Sequence, residues 1–317
     1  MKTSLFLVAT LLLPLAPGVR AQKPDAVKTG AGADLGGRKI FPADNPWNRD
    51  ISREPVDPNS AALVASIGLE KGLHPDFGTV WNGAPNGIPY IVVPGTQPRV
   101  PVKFQYADES DPGPYPIPPD APIEGGPSAK GDRHVLVLDR DNWKLYELWS
   151  SVPAPDGKSW TAGSGAIFDL NSNKLRPAGW TSADAAGLPV LPGLVRFDEA
   201  VGQKAIAHAL RFTCVRTRRA YVAPATHFAS RHTEANLPPM GMRVRLRANF
   251  DTSGFPPQAR VILDALKKYG MFLADNGGDW FLSGAPDPRW NDEEISTLKR
   301  VKGRDFEVVR MENLVTR

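Results

Sequence analysis

Cys214 is the only cysteine in this chain of 317 residues. One thiol permits no internal disulfide, so packing alone must hold the fold, and a chain of this length can bury enough surface for that. Cys214 stands in the apolar run Ala209 to Val215, which reads as a buried thiol rather than a nucleophile. Also missing are a Gly-x-Ser-x-Gly elbow, an HExxH helix, a phosphate-binding loop and a dinucleotide fingerprint. Gly163-Ser164-Gly165 lacks the elbow spacing. Asp169, Asn171 and Asn173 copy the start of a calcium loop, but Lys174 replaces its glycine and Trp180 its closing glutamate. No metal and no cofactor is therefore expected. Basic blocks interleaved with aromatics are missing as well, which argues against nucleic acid as a partner.

Long apolar runs are scarce. The only one, Leu5 to Leu15, follows Lys2 and precedes Val19 and Ala21 at the −3 and −1 positions of a small-residue cleavage site. That order is the signature of an export signal over residues 1–21. The run is too short to span a bilayer, which takes about 20 apolar residues. The expectation is a secreted or periplasmic protein, cleaved near Ala21, with no membrane span. Beyond residue 21 the formal charge falls from +4 to +2, because Lys2 and Arg20 are lost.

Proline and glycine are plentiful, at 32 and 29 residues, and they cluster between short apolar runs. Strands joined by ordered loops have this texture. Residues 22–37 are polar and Gly/Ala-rich without periodicity and read as a flexible leader. Strands are expected at 88–93, 100–106, 132–138, 143–149, 206–215, 242–250 and near 305–311, and a second hairpin around Asn276-Gly277-Gly278. A short helix is expected over 60–69, capped by Ser60, and the clearest helix over 256–270, opened by proline and closed by Gly270. Asn291 or Asp292 caps a last one. Residues 107–131 form a long loop of the kind that is functional or disordered, and an ordered loop near a binding face fits its prolines, Tyr115 and Ile117. With no repeat and no clean linker, 38–317 reads as one mainly-β domain, sandwich- or jelly-roll-like, with two or three peripheral helices and long ordered loops.

Chemistry-bearing residues concentrate in the hairpin around Asp139 to Asn142. If Leu138 lies opposite Trp143, His134 faces Glu147 and Asp132 faces Trp149, and all share one side of the sheet. Asp132, His134 and Glu147 are thus an acid/base group or, alternatively, a structural charge set. Asp184 joins the loop acids Asp108, Glu109, Asp111 and Glu124. His208 and Arg211 fall on opposite faces of an apolar strand, where each needs a partner. His208 either joins the His134 face or is a satisfied core histidine. Trp47, Trp81, Trp180, Trp280 and Trp290 sit beside Gly, Pro, Asn or Asp, and Trp160 lies between Gly157 and Gly163. Such indoles stack on sugar rings or plug the ends of a core. Trp180, Trp280, Trp290 and Tyr115 are the expected substrate-binding aromatics.

Two stretches, GDRHVLVLDRDNWKLYEL and GWTSADAAGLPVLPGLVRFDEA, resemble a group of exported microbial proteins. The likeness runs from about Phe41 to Val309. It implies no activity, only that these loops belong to one integrated domain. The functional expectation is an extracytoplasmic carbohydrate-active enzyme acting on a poly- or oligosaccharide. A hydrolase would lean on Asp132 and Glu147, a polysaccharide lyase on His134 and Arg211. The alternative is a non-catalytic carbohydrate-binding or envelope structural protein. The oligomeric state is not legible.

Overall fold

The computed structural model describes residues 27–316, so the expected signal peptide over 1–21 lies outside the described residues. The fold is mainly β, with helices Ser60–Ile67, Pro257–Lys268 and Asp292–Ser296 around its sheets. The first sheet has five strands in the order Gly30–Ala31, Tyr90–Val93, Val135–Asp139, Lys144–Trp149 and Ser164–Asp169. The second has six: Phe306–Val308, Arg243–Leu246, Met271–Asn276, Leu210–Cys214, Phe281–Ser283 and His74–Asp76. Several neighbours are parallel, among them Leu210–Cys214 with Met271–Asn276 and Tyr90–Val93 with Val135–Asp139. This mixed pairing departs from the wholly antiparallel pattern expected of a jelly roll.

The first sheet is buried on both faces, which explains its nearly unbroken apolar sequence. Val135, Val137, Tyr146 and Leu148 pack against Tyr115, Ile117 and Trp160. Leu136, Leu138, Leu145 and Phe168 face the larger core, which also holds Phe212, Val244, Met271 and Leu273 of the second sheet. Glu147 lies two residues from Leu145 and shares its face, so its carboxyl is directed at this main core.

Three expectations need correction. First, the hairpin register is displaced: Leu136 pairs with Glu147 and Leu138 with Leu145. The turn begins one residue later than expected, because the Asp139 carboxylate accepts the amides of Asp141 and Asn142 at 3.2 and 3.0 Å and Trp143 takes a left-handed φ of 50°. The shift is two residues, so side-chain parity survives and His134 and Glu147 still share a face. Second, no hairpin forms at Asn276-Gly277-Gly278. Leu210–Cys214 lies between Met271–Asn276 and Phe281–Ser283, and the glycines carry the chain over its end. A Cβ on Gly277 would meet Thr213 Oγ1 at 2.7 Å. Third, the expected leader packs against the domain from Val27 onward. Gly30–Ala31 pairs with Tyr90–Val93, and Leu35 is fully buried with its amide on Asp198.

Smaller adjustments follow the same logic. Ser60 does not cap its helix, since its hydroxyl accepts Val308 N–H at 2.8 Å and ties the helix to the neighbouring strand. The loop after Tyr106 is ordered, bridged to Val100 through Tyr115. Among the described residues no helix is long and apolar enough to cross a membrane.

Candidate functional site

The segment Thr181 to Val195 runs between the two sheets and is tied to both. Glu147 accepts Val190 N–H at 2.9 Å and Leu191 N–H at 2.9 Å. Ala186 N–H donates to Ala274 O at 2.9 Å. Asp184 receives Arg211 Nε at 3.0 Å and Nη2 at 2.5 Å. A two-point ion pair of this kind fixes both partners.

Above this segment opens a cleft of about 400 Å³. Tyr106, Asp132 and Trp149 line it from the side of the first sheet, Asp275 and Asn276 from the second. Asp184, Glu109 and His227 add to its polar lining, with the hydroxyls of Ser164, Thr181 and Ser182. A bulge brings Asp275 here: Phe212 pairs with Leu273 and Thr213 with Asp275, leaving Ala274 unpaired in that ladder. Bulges redirect side chains in this way, and the one here also frees the Ala274 carbonyl for Ala186.

Burial raises the Asp275 pKa to about 7, and the neighbouring Asp184 carboxylate adds to the shift. The Arg211 guanidinium, then the Asn276 and Ala185 amides that Asp275 accepts at 2.7 and 3.3 Å, only partly oppose this. Asp275 therefore exchanges its proton near neutral pH. His227 donates Nδ1–H to Ala185 O at 2.7 Å, and its Nε2 lies 3.8 Å from Glu109. The carbonyl fixes the tautomer and leaves the Nε2 lone pair available when the ring is neutral. Trp149 and Tyr106 stand 6.5 Å apart and tilted, an apolar face beside these acids.

The expected catalytic residues divide into three groups. Asp132 and Asp184 line the cleft. Asp132 is exposed and accepts Trp149 Nε1–H at 3.0 Å. His134, Glu147 and Arg211 lie buried beneath it. His134 Nδ1 is 2.6 Å from Glu124, and its Nε2 is 3.0 Å from Ala183 O. The Ala183 carbonyl and the ionised Glu124 carboxylate both accept, so both ring nitrogens donate and the ring is an imidazolium. Burial works against that charge, but the Glu124 carboxylate outweighs it and raises the pKa to about 9. His134 is thus no base at neutral pH. Glu147 is pushed up to about 7 by burial, held back in part by the two amides it accepts, and it anchors the loop rather than reaching the cleft. His208 belongs elsewhere. It precedes its strand and bonds Glu199 at 3.0 Å and Ala209 O at 2.8 Å, in a network with Arg196.

Three of the four expected stacking aromatics are core residues. Trp280 is stacked between Phe212 and Phe306 with Nε1 on Gly68 O, and Trp290 packs on Phe77 and Phe197. Tyr115 is fully buried, its hydroxyl on Asp111 O. None presents a face to a sugar. Trp180 is half-buried beside the cleft under the Arg176 guanidinium. Sequence reasoning passed over Asp275, His227, Trp149 and Tyr106 as site residues. Asp275, Asn276, Asp279, Asp287 and Arg289 crowd one short stretch of the sequence, but nothing in it marks the bulge that aims Asp275.

Among the described residues no three His, Cys, Asp or Glu side chains converge as a metal site. Comparison with family models, curated proteins and solved structures finds no match.

Proposed function

We propose that the protein is an extracytoplasmic carbohydrate-active enzyme that hydrolyses glycosidic bonds in this cleft. Asp275 carries the reading. Its carboxyl keeps a proton up to about pH 7 in a cleft that also presents an aromatic face. A general acid for a glycosidic oxygen needs such a raised pKa, and sugar C–H faces stack on indole and phenol rings. In this mechanism Asp275 protonates the leaving oxygen. Asp132, whose second carboxylate oxygen is unengaged by Trp149, is the partner carboxylate for the developing positive charge or for water. Tyr106 and Trp149 seat the ring, and Asp184, clamped by Arg211, holds the loop that shapes the floor.

Hydrolysis is favoured over uronate elimination on two grounds. Arg211 is already engaged by Asp184 and Ser283, and both ring nitrogens of His134 are engaged, so neither is free to neutralise a uronate. Four carboxyl groups, Glu109, Asp132, Asp184 and Asp275, line the cleft and disfavour an anionic sugar.

The test is a panel of neutral and acidic polysaccharides with the purified mature chain, read by reducing ends and by absorbance of unsaturated uronates. Wild type should release reducing ends. Asp275→Asn should lower the rate about 100-fold or more, the scale of a lost general acid, while still binding the glycan. Trp149→Ala should weaken binding. Unsaturated products would replace the hydrolase with a lyase. Binding without any product would make the protein a carbohydrate-binding module.

A further inference from the structure

Five arginines are buried among the described residues: Arg176, Arg196, Arg211, Arg243 and Arg245. Four of them meet a carboxylate, on Asp111, on Asp198 and Glu199, on Asp184 and on Glu307 respectively. Arg243, only 8 % exposed, has no such partner. Its donors go to main-chain carbonyls instead. Nε and Nη2 reach Tyr269 O at 2.8 and 2.6 Å, Nη2 also reaches Arg49 O at 3.0 Å, and Nη1 reaches Pro46 O at 2.8 Å. These bonds use four of the five N–H groups of a guanidinium, and one on Nη1 remains.

Carbonyls orient the guanidinium, the Phe272 ring lies 4.6 Å from it, and Tyr269 lies at the negative end of the helix Pro257–Lys268, but no carboxylate bonds it. The charged neighbours do not supply one. Arg49 adds like charge, and the nearby Glu54 is already engaged by Arg49. Glu54 and Asp50 attract the guanidinium, Asp50 the less of the two, but neither bonds it. Burial and Arg49 together lower the Arg243 pKa to about 9, which still leaves the group charged at neutral pH. An unneutralised buried charge is costly, and proteins keep one where something else meets it.

Arg243 also lines a groove of about 610 Å³, within the range of small-molecule sites. Phe272, Val222, Pro224, Val309 and Met311 give the groove apolar walls, and its lining also carries Asp44, Glu54 and Glu312 against Arg49 and Arg310, so Arg243 brings the acids and bases to equal number. It shares no lining residue with the Asp275 cleft.

We propose that this groove binds a small amphiphilic carboxylate, its head group on Arg243 and its apolar body along Phe272, Val309 and Met311. A buried cation beside apolar walls selects for both features. A bare inorganic anion leaves the walls wet, and a neutral amphiphile leaves the positive charge of Arg243 without a counter-charge. The site is independent of the glycan reading.

The experiment titrates the purified mature chain with sodium octanoate by calorimetry, beside octanol and inorganic phosphate. Octanoate should bind saturably at one site and more tightly than either control. Arg243→Gln should weaken it about tenfold or more, the scale of a charge-assisted hydrogen bond. Because Arg243 also ties three main-chain segments, a second variant, Leu175→Glu, places a negative charge on the groove from an exposed position. It should weaken octanoate to a similar degree with an unchanged near-ultraviolet circular dichroism spectrum. Asp132→Asn, in the other cleft, should leave binding intact. No saturable octanoate binding, equal binding of octanol or phosphate, or octanoate binding indifferent to Leu175→Glu would each overturn the proposal.

Discussion

At the scale of single residues, the site is a set of acids that burial and charge have driven apart. Asp275 and Glu147 are raised to about 7, whereas Glu124 is held below the usual carboxylate range by the His134 imidazolium, against the pull of burial. For a reaction that uses Asp275 as general acid, kcat/KM should fall as pH rises through about 7, and Asp275→Asn should abolish that limb of the profile. The same shifts fix the sign of the stability profile. Asp275, Glu147 and His134 each bind their proton more tightly folded than unfolded, so each contributes stability that is full at low pH. For the two carboxyls it is lost as pH climbs toward about 7, and for His134 between about 6.5 and 9. Glu124 works in the opposite sense, and its contribution is lost only in acid. Urea unfolding should therefore find the protein less stable at pH 9 than at pH 6. Glu124→Gln should cost about 3 kcal/mol at pH 6, the scale of breaking a buried pair, and should flatten the alkaline limb. An alkaline limb unchanged in that variant would mean His134 is not its source.

At the scale of elements, alternation and turn chemistry were legible, while pairing partners were not. The hairpin strands were found from their apolar runs, and because side chains repeat every second residue, a two-residue register error left His134 and Glu147 on the same face. The helix Pro257–Lys268 has its proline start and its glycine stop. Gly270 follows it at φ +65°, and a Cβ there would meet Val244 O at 2.2 Å. Gly270→Ala should therefore destabilise the fold by more than about 1 kcal/mol, since the left-handed backbone and the close carbonyl both penalise a side chain. Chemical denaturation reads this directly, and a neutral effect would show that the helix end can shift to make room. The supposed hairpin at Gly277 failed for a different reason. Asn-Gly-Gly is good turn chemistry, but a turn of that composition serves equally to carry the chain over an intervening strand.

For the whole molecule, a single apolar cluster holds side chains of both large sheets, and the Thr181 to Val195 segment hydrogen-bonds to each. Neither sheet can lose its inner face without exposing the other's. Calorimetric unfolding should accordingly show one cooperative transition. In Glu147→Gln, the amide oxygen can keep both Val190 and Leu191 N–H, but its N–H₂ then faces the Val190 donor, and that transition should shift down by an amount worth about 1–3 kcal/mol. Two resolved transitions in the wild type would mean that the sheets unfold as separate units.

The sequence by itself determined the local features: strands from apolar alternation, the principal helix from its proline, glycine and terminal lysines, and the buried state of Cys214 from its apolar run. These depend on neighbours a few residues away. Which acids share a cleft is decided by contacts between segments more than 100 residues apart in the chain, as when Asp132 and Asp275 line one wall-to-wall space. Burial of Trp280 and Trp290, the saturation of Arg211 by Asp184, and the raised pKa of Asp275 all arise from that long-range packing. Alternation assigns a side chain to a face, but only the tertiary fold decides whether that face meets solvent, another charge or the core.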